Sequence, residues 1–486
     1  MANVNYIGGA VDTLRGMYVR SPAWLRRTVA IPLGSLPVSL RYGRRYFDWR
    51  SKIVDLRNDR EKRTEYVLKE RAAVLRMAGT AAYYRDLLAG LWPNGIPSDE
   101  SLDDDTWRRI PILTKSIIRR EGTRLVGAQH GRLSHVSTSG SSGQPLAFLQ
   151  EETRSIAEFA YVSDAWGRAG FKTGDLRCVF RGILIHDVRK KCMEFEPALG
   201  ELRCSPFDMS DESMSRYFAE IKKRRIKYLY GYTTAIALFA AFVERTGGTP
   251  FNQIKGIFPI SEKVLPRHRS LFRDVFPSAM LVPGYGLSEK VAFATEAVGR
   301  PDVYEFDPTY GFAELIGDDD MPVRTSGGRG RIVGTGFISK GMPLLRYDSE
   351  DEATLVESAT PANGYRLVVS DIASKHQAYL VTRQGGVISA ASMTPNIDSY
   401  DCVSEFQFFQ ARAGVAELRM VVDPKGTRER AEVFADEMRQ YLGKGIRLES
   451  VFVDRIPTTT RGKRKMIDQK IPRAEIERAL RGLVEA

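Results

Sequence analysis

Residues 137–145 read STSGSSGQP. Hydroxyl side chains, two glycines and their backbone N–H groups in one turn make a concave anion nest. Gly140 and Gly143 permit positive φ and close backbone approach. Thr138, Ser139, Ser141 and Ser142 can add hydrogen bonds to phosphate oxygens, with Ser137 opening the turn. The turn fails the GxxxxGK[ST] pattern, in which a lysine reaches the phosphates. The nearest lysine before it is Lys115, so a cation has to come from another part of the chain. A flexible Ser–Gly linker has a similar composition. Linkers, however, seldom sit between two strand-like runs, here LSHV and LAFLQ.

A second group with chemical potential is Cys178, His186, Cys192 and Cys204. Zinc is one use for it, but the gaps are too wide for a finger spacing. Buried free thiols are the favoured alternative. With four cysteines in 486 residues and no CxxC pair, the chain is no disulfide scaffold, and a reducing cytoplasm is expected.

The length calls for two or three domains. The net charge of +12 suits polyphosphate ligands, nucleic acid or an anionic membrane. Nucleic acid is set aside because the positive charge is spread along the chain and no binding motif accompanies it. No apolar run reaches the ~18 residues of a membrane span; AIALFAAFV at 235–243 reads as a core helix. No signal peptide is evident, so an unprocessed soluble protein is expected. The N-terminus mixes Arg15, Arg20, Arg26, Arg27, Arg41, Arg44 and Arg45 with Trp24, Tyr42, Tyr46 and Phe47. That mixture is compatible with a peripheral membrane contact, and better with a solvated basic face around packed aromatics.

The elements that must position these residues are legible in outline. Residues 59–91 carry helical periodicity, broken by WPNGIPSD. Thr114 is the expected N-cap of the next helix. Between 132 and 300, short apolar strands (RCVFRGIL, KYLYGY, IKGIFPIS, AMLVPGYG) alternate with helical stretches. Such alternation predicts βαβ units on a largely parallel sheet. Residues 302–356 switch to short strands and turns, as in an antiparallel sheet or barrel. From about 372 a small unit of strands, a helix and a basic tail follows. The expected fold class is α/β: a large multi-subdomain body with mixed and parallel sheets (1–371), plus a small α+β C-terminal lid (372–486).

Several segments together resemble the adenylate-forming enzymes, which include acyl-CoA synthetases, luciferases and peptide-synthetase adenylation domains. STSGSSGQP resembles their phosphate loop, and IPILTKSIIR at 110–119 the segment before it in the phenylacetate–CoA ligase branch. LYGYTTAIALFA at 229–240 resembles the substrate-pocket strand and helix, and FPISEKVLP at 258–266 the strand end beside adenine. VPGYGLSE at 282–289 matches the aromatic-Gly-x-[ST]-Glu motif. GRIVGTGFISKGMPLLRYDSEDEA at 330–353 matches the stretch ending in the ribose-binding aspartate, and IPTTTRGKRKMID at 456–468 the segment with the catalytic lysine. They occur in family order over roughly residues 100–470. The nearest resemblance is to the phenylacetate–CoA ligase-like subgroup associated with capsular polysaccharide synthesis.

The resemblance implies a carboxylic acid attacking the α-phosphate of ATP, loss of pyrophosphate, and transfer of the acyl group from the adenylate. Lys463 would supply the missing cation, with Lys465 as the fallback and a solvated patch with Arg461 and Arg464 as the plain alternative. Glu289 would hold Mg²⁺, with Ser288 beside it. Tyr285, between Gly284 and Gly286, would stack on adenine, supported by Ser261 and Glu262. Asp351 would accept from the ribose hydroxyls, although Glu350 stands where relatives carry glycine. The hinge departs further: Ser374 and Lys375 replace a Gly-Arg pair, and lysine lacks the planar fork. Tyr230, Gly231, Tyr232 and Thr233 would line an acyl pocket for an aromatic or partly polar acid. Coenzyme A is the expected acceptor. An amine is the rival, and a non-catalytic nucleotide-binding relative is the third alternative. The oligomeric state is left open, a homodimer being one candidate.

Overall fold

The computed structural model describes residues 36–138, 146–182, 192–373, 378–390, 402–424, 426–457 and 466–481. The phosphate-loop residues Ser139, Gly140, Ser141, Ser142 and Gly143, and also His186, Ser374, Lys375, Lys463 and Lys465, lie outside them.

The chain opens with helices α1 (Val38–Asn58), α2 (Arg60–Ala78) and α3 (Ala82–Leu91). The periodic stretch at 59–91 is thus two helices, parted at Gly79. Asp59 caps α2 by accepting from Lys62 N. The short helices α4 (Asp104–Arg108) and α5 (Lys115–Glu121) follow. Thr114 is the N-cap of α5, its hydroxyl accepting from Ile117 N.

Strands β1 (Leu133–Thr138) and β2 (Leu146–Glu151) form an antiparallel hairpin around the serine–glycine turn. Helix α6 (Arg154–Trp166) leads to a six-stranded sheet. Its members are β3 (Arg177–Phe180), β4 (Met193–Glu196), β5 (Glu201–Cys204), β6 (Tyr228–Tyr232), β7 (Gly256–Ile260) and β8 (Met280–Leu281), in the order β4-β5-β3-β6-β7-β8. All neighbours are parallel except the edge pair β4–β5. The crossovers run through α7 (Asp211–Lys223), α8 (Thr233–Arg245) and α9 (Pro266–Val275). A central parallel strand covered on both faces has no polar side to show, and all four residues of β3 are buried. Helix α8 is apolar nearly all round and is buried through Val243, as expected for 235–243.

A seven-stranded sheet follows, in the order β12-β13-β14-β15-β11-β10-β9. It comprises β9 (Gly284–Gly286), β10 (Phe293–Glu296), β11 (Val303–Phe306), β12 (Gly311–Ile316), β13 (Arg329–Gly336), β14 (Tyr347–Glu357) and β15 (Val368–Ala373). Every pairing is antiparallel. Its core joins Trp107, Leu345, Tyr347 and Val369 to α2 and α3.

The C-terminal unit has a hairpin of β16 (Tyr379–Val381) and β17 (Val387–Ser389). It also has a four-stranded sheet, β20-β19-β18-β21, from β18 (Val403–Arg412), β19 (Val415–Val422), β20 (Arg447–Phe452) and β21 (Ile467–Gln469). Helices α10 (Arg428–Leu442) and α11 (Arg473–Arg481) complete it. Phe207, from the body, is buried in this unit's own apolar core beside Leu380 and Ile388. A cleft of about 1160 Å³ runs along the junction, lined by Asp208, Arg245, Thr382 and Arg439 among others. Among the described residues no helix is long and apolar enough to cross a membrane.

Candidate functional site

The carboxyl ends of β3, β6 and β7, the strand β9, and the start of β14 carry the residues of interest. A ligand in an open parallel sheet sits at such carboxyl ends. Phe180 faces Gly231 and Tyr232 faces Ile260 in register. Gly284 follows against Ile260, 3.7 Å from where a Cβ would stand. Gly231 has a specific reason to be glycine: φ is +147°, and a Cβ would fall 2.1 Å from the Phe180 carbonyl oxygen.

Tyr285 Oη donates to Asp351 Oδ2 at 2.9 Å. Burial raises the Asp351 carboxyl to about 6, opposed by the Tyr285 hydrogen bond and by Lys115. Burial, with the charge of Asp351 beside it, also keeps the Tyr285 phenol protonated well above its usual range. The phenol therefore donates, and its ring meets Phe306 edge-on at 5.6 Å. Among the described residues the second Asp351 oxygen has no hydrogen-bond partner, which suits a diol donor.

The neighbouring acids are engaged elsewhere. Asp348 pairs with Arg331 and accepts from Glu350 N. Glu350 pairs with Lys115 at 3.1 Å. Glu350 has φ +63°, the left-handed region that favours glycine. The glycine expected here from the resemblance would meet a backbone requirement, which this chain meets with a glutamate whose N–H and carboxylate are both tied down. Lys115 reaches it because residues 113–115 run alongside β14, with Leu113 N donating to Arg346 O at 3.0 Å.

Glu289 is 8% exposed and accepts from Tyr347 Oη at 2.6 Å through Oε1. Burial and the Glu289 charge raise the Tyr347 phenol, so it too stays a donor. Gln150 of β2, the strand leaving the serine–glycine turn, donates from Nε2 to Ser288 O at 2.9 Å. The hairpin that carries Ser137 and Thr138 is thereby fastened to the segment carrying Glu289. Among the described residues the buried Gln150 Oε1 has no hydrogen-bond partner.

Other expected site residues have plain structural contacts. Glu262 caps α8, its Oε2 accepting from Thr234 N at 2.7 Å, while the buried Thr233 hydroxyl donates to Glu262 O at 3.0 Å. Ser261 has φ +64°. Tyr230 packs on Trp166 with centroids 4.7 Å apart, and Tyr232 Oη accepts from Gly182 N at 3.3 Å. Asp371, near the expected hinge, has φ +49°. It pairs with Lys263 at 2.6 Å and Arg329 at 3.3 Å, and the Lys263 hydrogen bond lowers its carboxyl. Cys178 Sγ and Cys204 Sγ lie 3.5 Å apart in the core, and burial raises the Cys204 thiol. Cys178, Cys192, Cys204 and Cys402 are all free and buried. Among the described residues no group of three His, Cys, Asp or Glu side chains could hold a metal.

Tyr347, Gln150 and Arg181 were not singled out from sequence, and Lys115 was noted only as the nearest lysine before the turn. A tyrosine in a strand reads as core, and a glutamine after a strand as surface. Arg181 left a signal, being a charge directly after the apolar run RCVF.

Residues 380–470 match the CapK C-terminal domain family. Over 368 residues the chain is 24% identical to Protein CapK of Staphylococcus aureus, covering 74% of this chain and 79% of that protein. A crystal structure of 2-hydroxyisobutyryl-CoA ligase in complex with 2-HIB-AMP and CoA, in the thioesterification state, superposes with a TM-score of 0.52. It has 17% identity and covers 86% of this chain and 92% of that one. The same ligase in the postadenylation state, with 2-HIB-AMP, gives a TM-score of 0.47 at 16% identity, with 86% and 92% covered. The chain thus shares the fold of that ligase at a TM-score of 0.52, a mixed α/β body with a small C-terminal domain, and is similar in sequence to CapK over most of its length.

Proposed function

We propose that this protein is an AMP-forming carboxylate ligase. It joins a carboxylic acid to ATP as an acyl-adenylate, releases pyrophosphate, and passes the acyl group to coenzyme A. One observation carries the reading: three hydrogen bonds tie the segment of Tyr285, Ser288 and Glu289 to its neighbours, Tyr285 to Asp351 and Tyr347 to Glu289 on the side of β14, and Gln150 of the hairpin to the Ser288 carbonyl. A serine–glycine linker would have no reason to be anchored to the residue beside a buried carboxylate.

In this mechanism the turn from Ser137 to Gly143 wraps the β- and γ-phosphates with N–H and hydroxyl groups. Asp351 accepts from the ribose hydroxyls through its open oxygen, and Tyr285 fixes its other one. Glu289 fits Mg²⁺, an ion that takes one or two carboxylates plus phosphate oxygens; Tyr347 leaves one of its oxygens without a protein partner among the described residues. Bound Mg²⁺ would neutralise charge on the phosphates. Lys463 would bring the remaining positive charge against the α-phosphate and the attacking carboxylate. The C-terminal unit, from about residue 372, would move to deliver it. Charge crowds at phosphorus in the transition state, so fixed positive groups do most of the work.

The CoA acceptor is supported by a structural neighbour that binds an acyl-AMP and CoA. An amine acceptor is the second reading. A panel of carboxylic acids read by pyrophosphate release, with hydroxylamine trapping, tests the first step. Acid-dependent release and hydroxamate are expected. Release independent of any acid would reject activation, and offering CoA against amines would separate the two acceptors.

A further inference from the structure

The carboxyl edge of the parallel sheet carries a cation that has no ion-pair partner among the described residues. Arg181 directly follows β3, is exposed, and donates from Nη1 to Tyr230 Oη at 2.9 Å. Its guanidinium carbon lies 5.4 Å from the Tyr230 ring centroid. Among the described residues no carboxylate comes within ion-pair distance of it. Two acids in the neighbourhood are engaged: Glu158 by Lys290, and Glu201 by Arg177 and Arg203.

A guanidinium only donates. The Tyr230 hydroxyl is therefore held as an acceptor, and its own proton is directed at a third group. Arginine and phenol together offer several convergent donors and no acceptor, the arrangement that binds a carboxylate or a similar oxyanion. Behind them the wall is aromatic. Tyr230 packs on Trp166, which stacks on Phe258 at 4.6 Å. Strands lie ~4.8 Å apart, so Arg181 stands two steps, about 10 Å, from Ser261 and Glu262 at the end of β7. A short diacid fits within that gap.

We propose that Arg181, with the Tyr230 hydroxyl, binds a second oxyanion on the acid being activated, so that the substrates are short dicarboxylates or acids bearing an equivalent anionic group. The proposal rests on the carboxylate-activation reading and narrows its substrate class.

The test uses the full-length protein and ATP–pyrophosphate exchange, with succinate, glutarate and adipate set against butyrate, valerate and hexanoate. One diacid is expected to exceed its monoacid partner in kcat/KM by at least about a hundredfold, because a site built around polar donors rejects an analogue that leaves them unpaired. Arg181→Leu should abolish that preference, chiefly through the KM of the diacid. Arg181→Lys should restore only part of it, having lost the fork. Thermal shift with the diacid alone gives a readout free of turnover. Equal use of both series, with a ratio untouched by Arg181→Leu, overturns the inference and leaves activation standing. A diacid-dependent thermal shift lost in Arg181→Leu, without any exchange, supports the anion site and rejects activation. No exchange and no diacid shift overturns both.

Discussion

At the scale of single residues, the site is set by which acids are already engaged. Asp348 and Glu350 have cationic partners, whereas one Asp351 oxygen has no hydrogen-bond partner among the described residues and is assigned by the proposal to the ribose. Its carboxyl titrates at about 6 because it is buried, which fixes a pH dependence. Above that value it is an anionic acceptor for a diol; below it the proton competes. AMP affinity should therefore fall as pH drops through 6, approaching tenfold per unit, as calorimetry between pH 7.5 and about 5 would record. The same burial makes the charged form costly in the ligand-free protein. A raised carboxyl destabilises above its folded value, so stability gained from this group should grow as pH falls through 6. Asp351→Asn should accordingly weaken AMP binding while raising the ligand-free melting temperature; a fall in both would reject the assignment. Tyr347→Phe should cost about 1–3 kcal/mol by stranding the buried Glu289, and should raise the Mg²⁺ concentration for half-maximal activity. An unchanged Mg²⁺ requirement would make Tyr347 a packing residue only. Much of this was legible from motifs such as GYGLSE and RYDSED. The partners Tyr347, Gln150 and Lys115 were not, because hydrogen bonds across elements leave no local pattern.

At the scale of elements, the parallel sheet sets the spacing of the pocket. Its neighbours close on each other so tightly at Gly231 that no side chain fits. Gly231→Ala would drive a Cβ into the Phe180 carbonyl at 2.1 Å, and no flexible side chain is there to yield. The substitution should destabilise the protein by several kcal/mol, about 3 or more, read as a large loss in denaturant midpoint or as insoluble expression. A variant as stable as the wild type would show that β3 and β6 are not in this register. The alternation of apolar runs with amphipathic stretches made the parallel sheet readable, and the density of turns did the same for the antiparallel one. The split at Gly79 was less readable, since α2 and α3 share one helical periodicity. Strand order was out of reach because pairing between distant segments is a property of the fold, not of any window of sequence.

At the scale of the whole molecule, the body and the C-terminal unit meet through Phe207, which the body lends to the other unit's core. Phe207→Ala should loosen that docking. Hydrogen exchange at 380–390 should quicken while the parallel sheet stays protected, and acyl transfer should change more than adenylation. Equal effects on both steps would argue against separate working positions for the two units. Lys463 belongs to this scale too, since the proposal asks it to reach a site assembled entirely on the body. The most direct measurement is ATP–pyrophosphate exchange across the acid panel, in the wild type and in Lys463→Ala. Exchange that appears only with a particular acid, and falls at least about a hundredfold in the variant while ATP still raises its melting temperature, is the result expected. Acid-dependent exchange that Lys463→Ala leaves intact, or ATP cleavage to ADP and phosphate, would contradict the account.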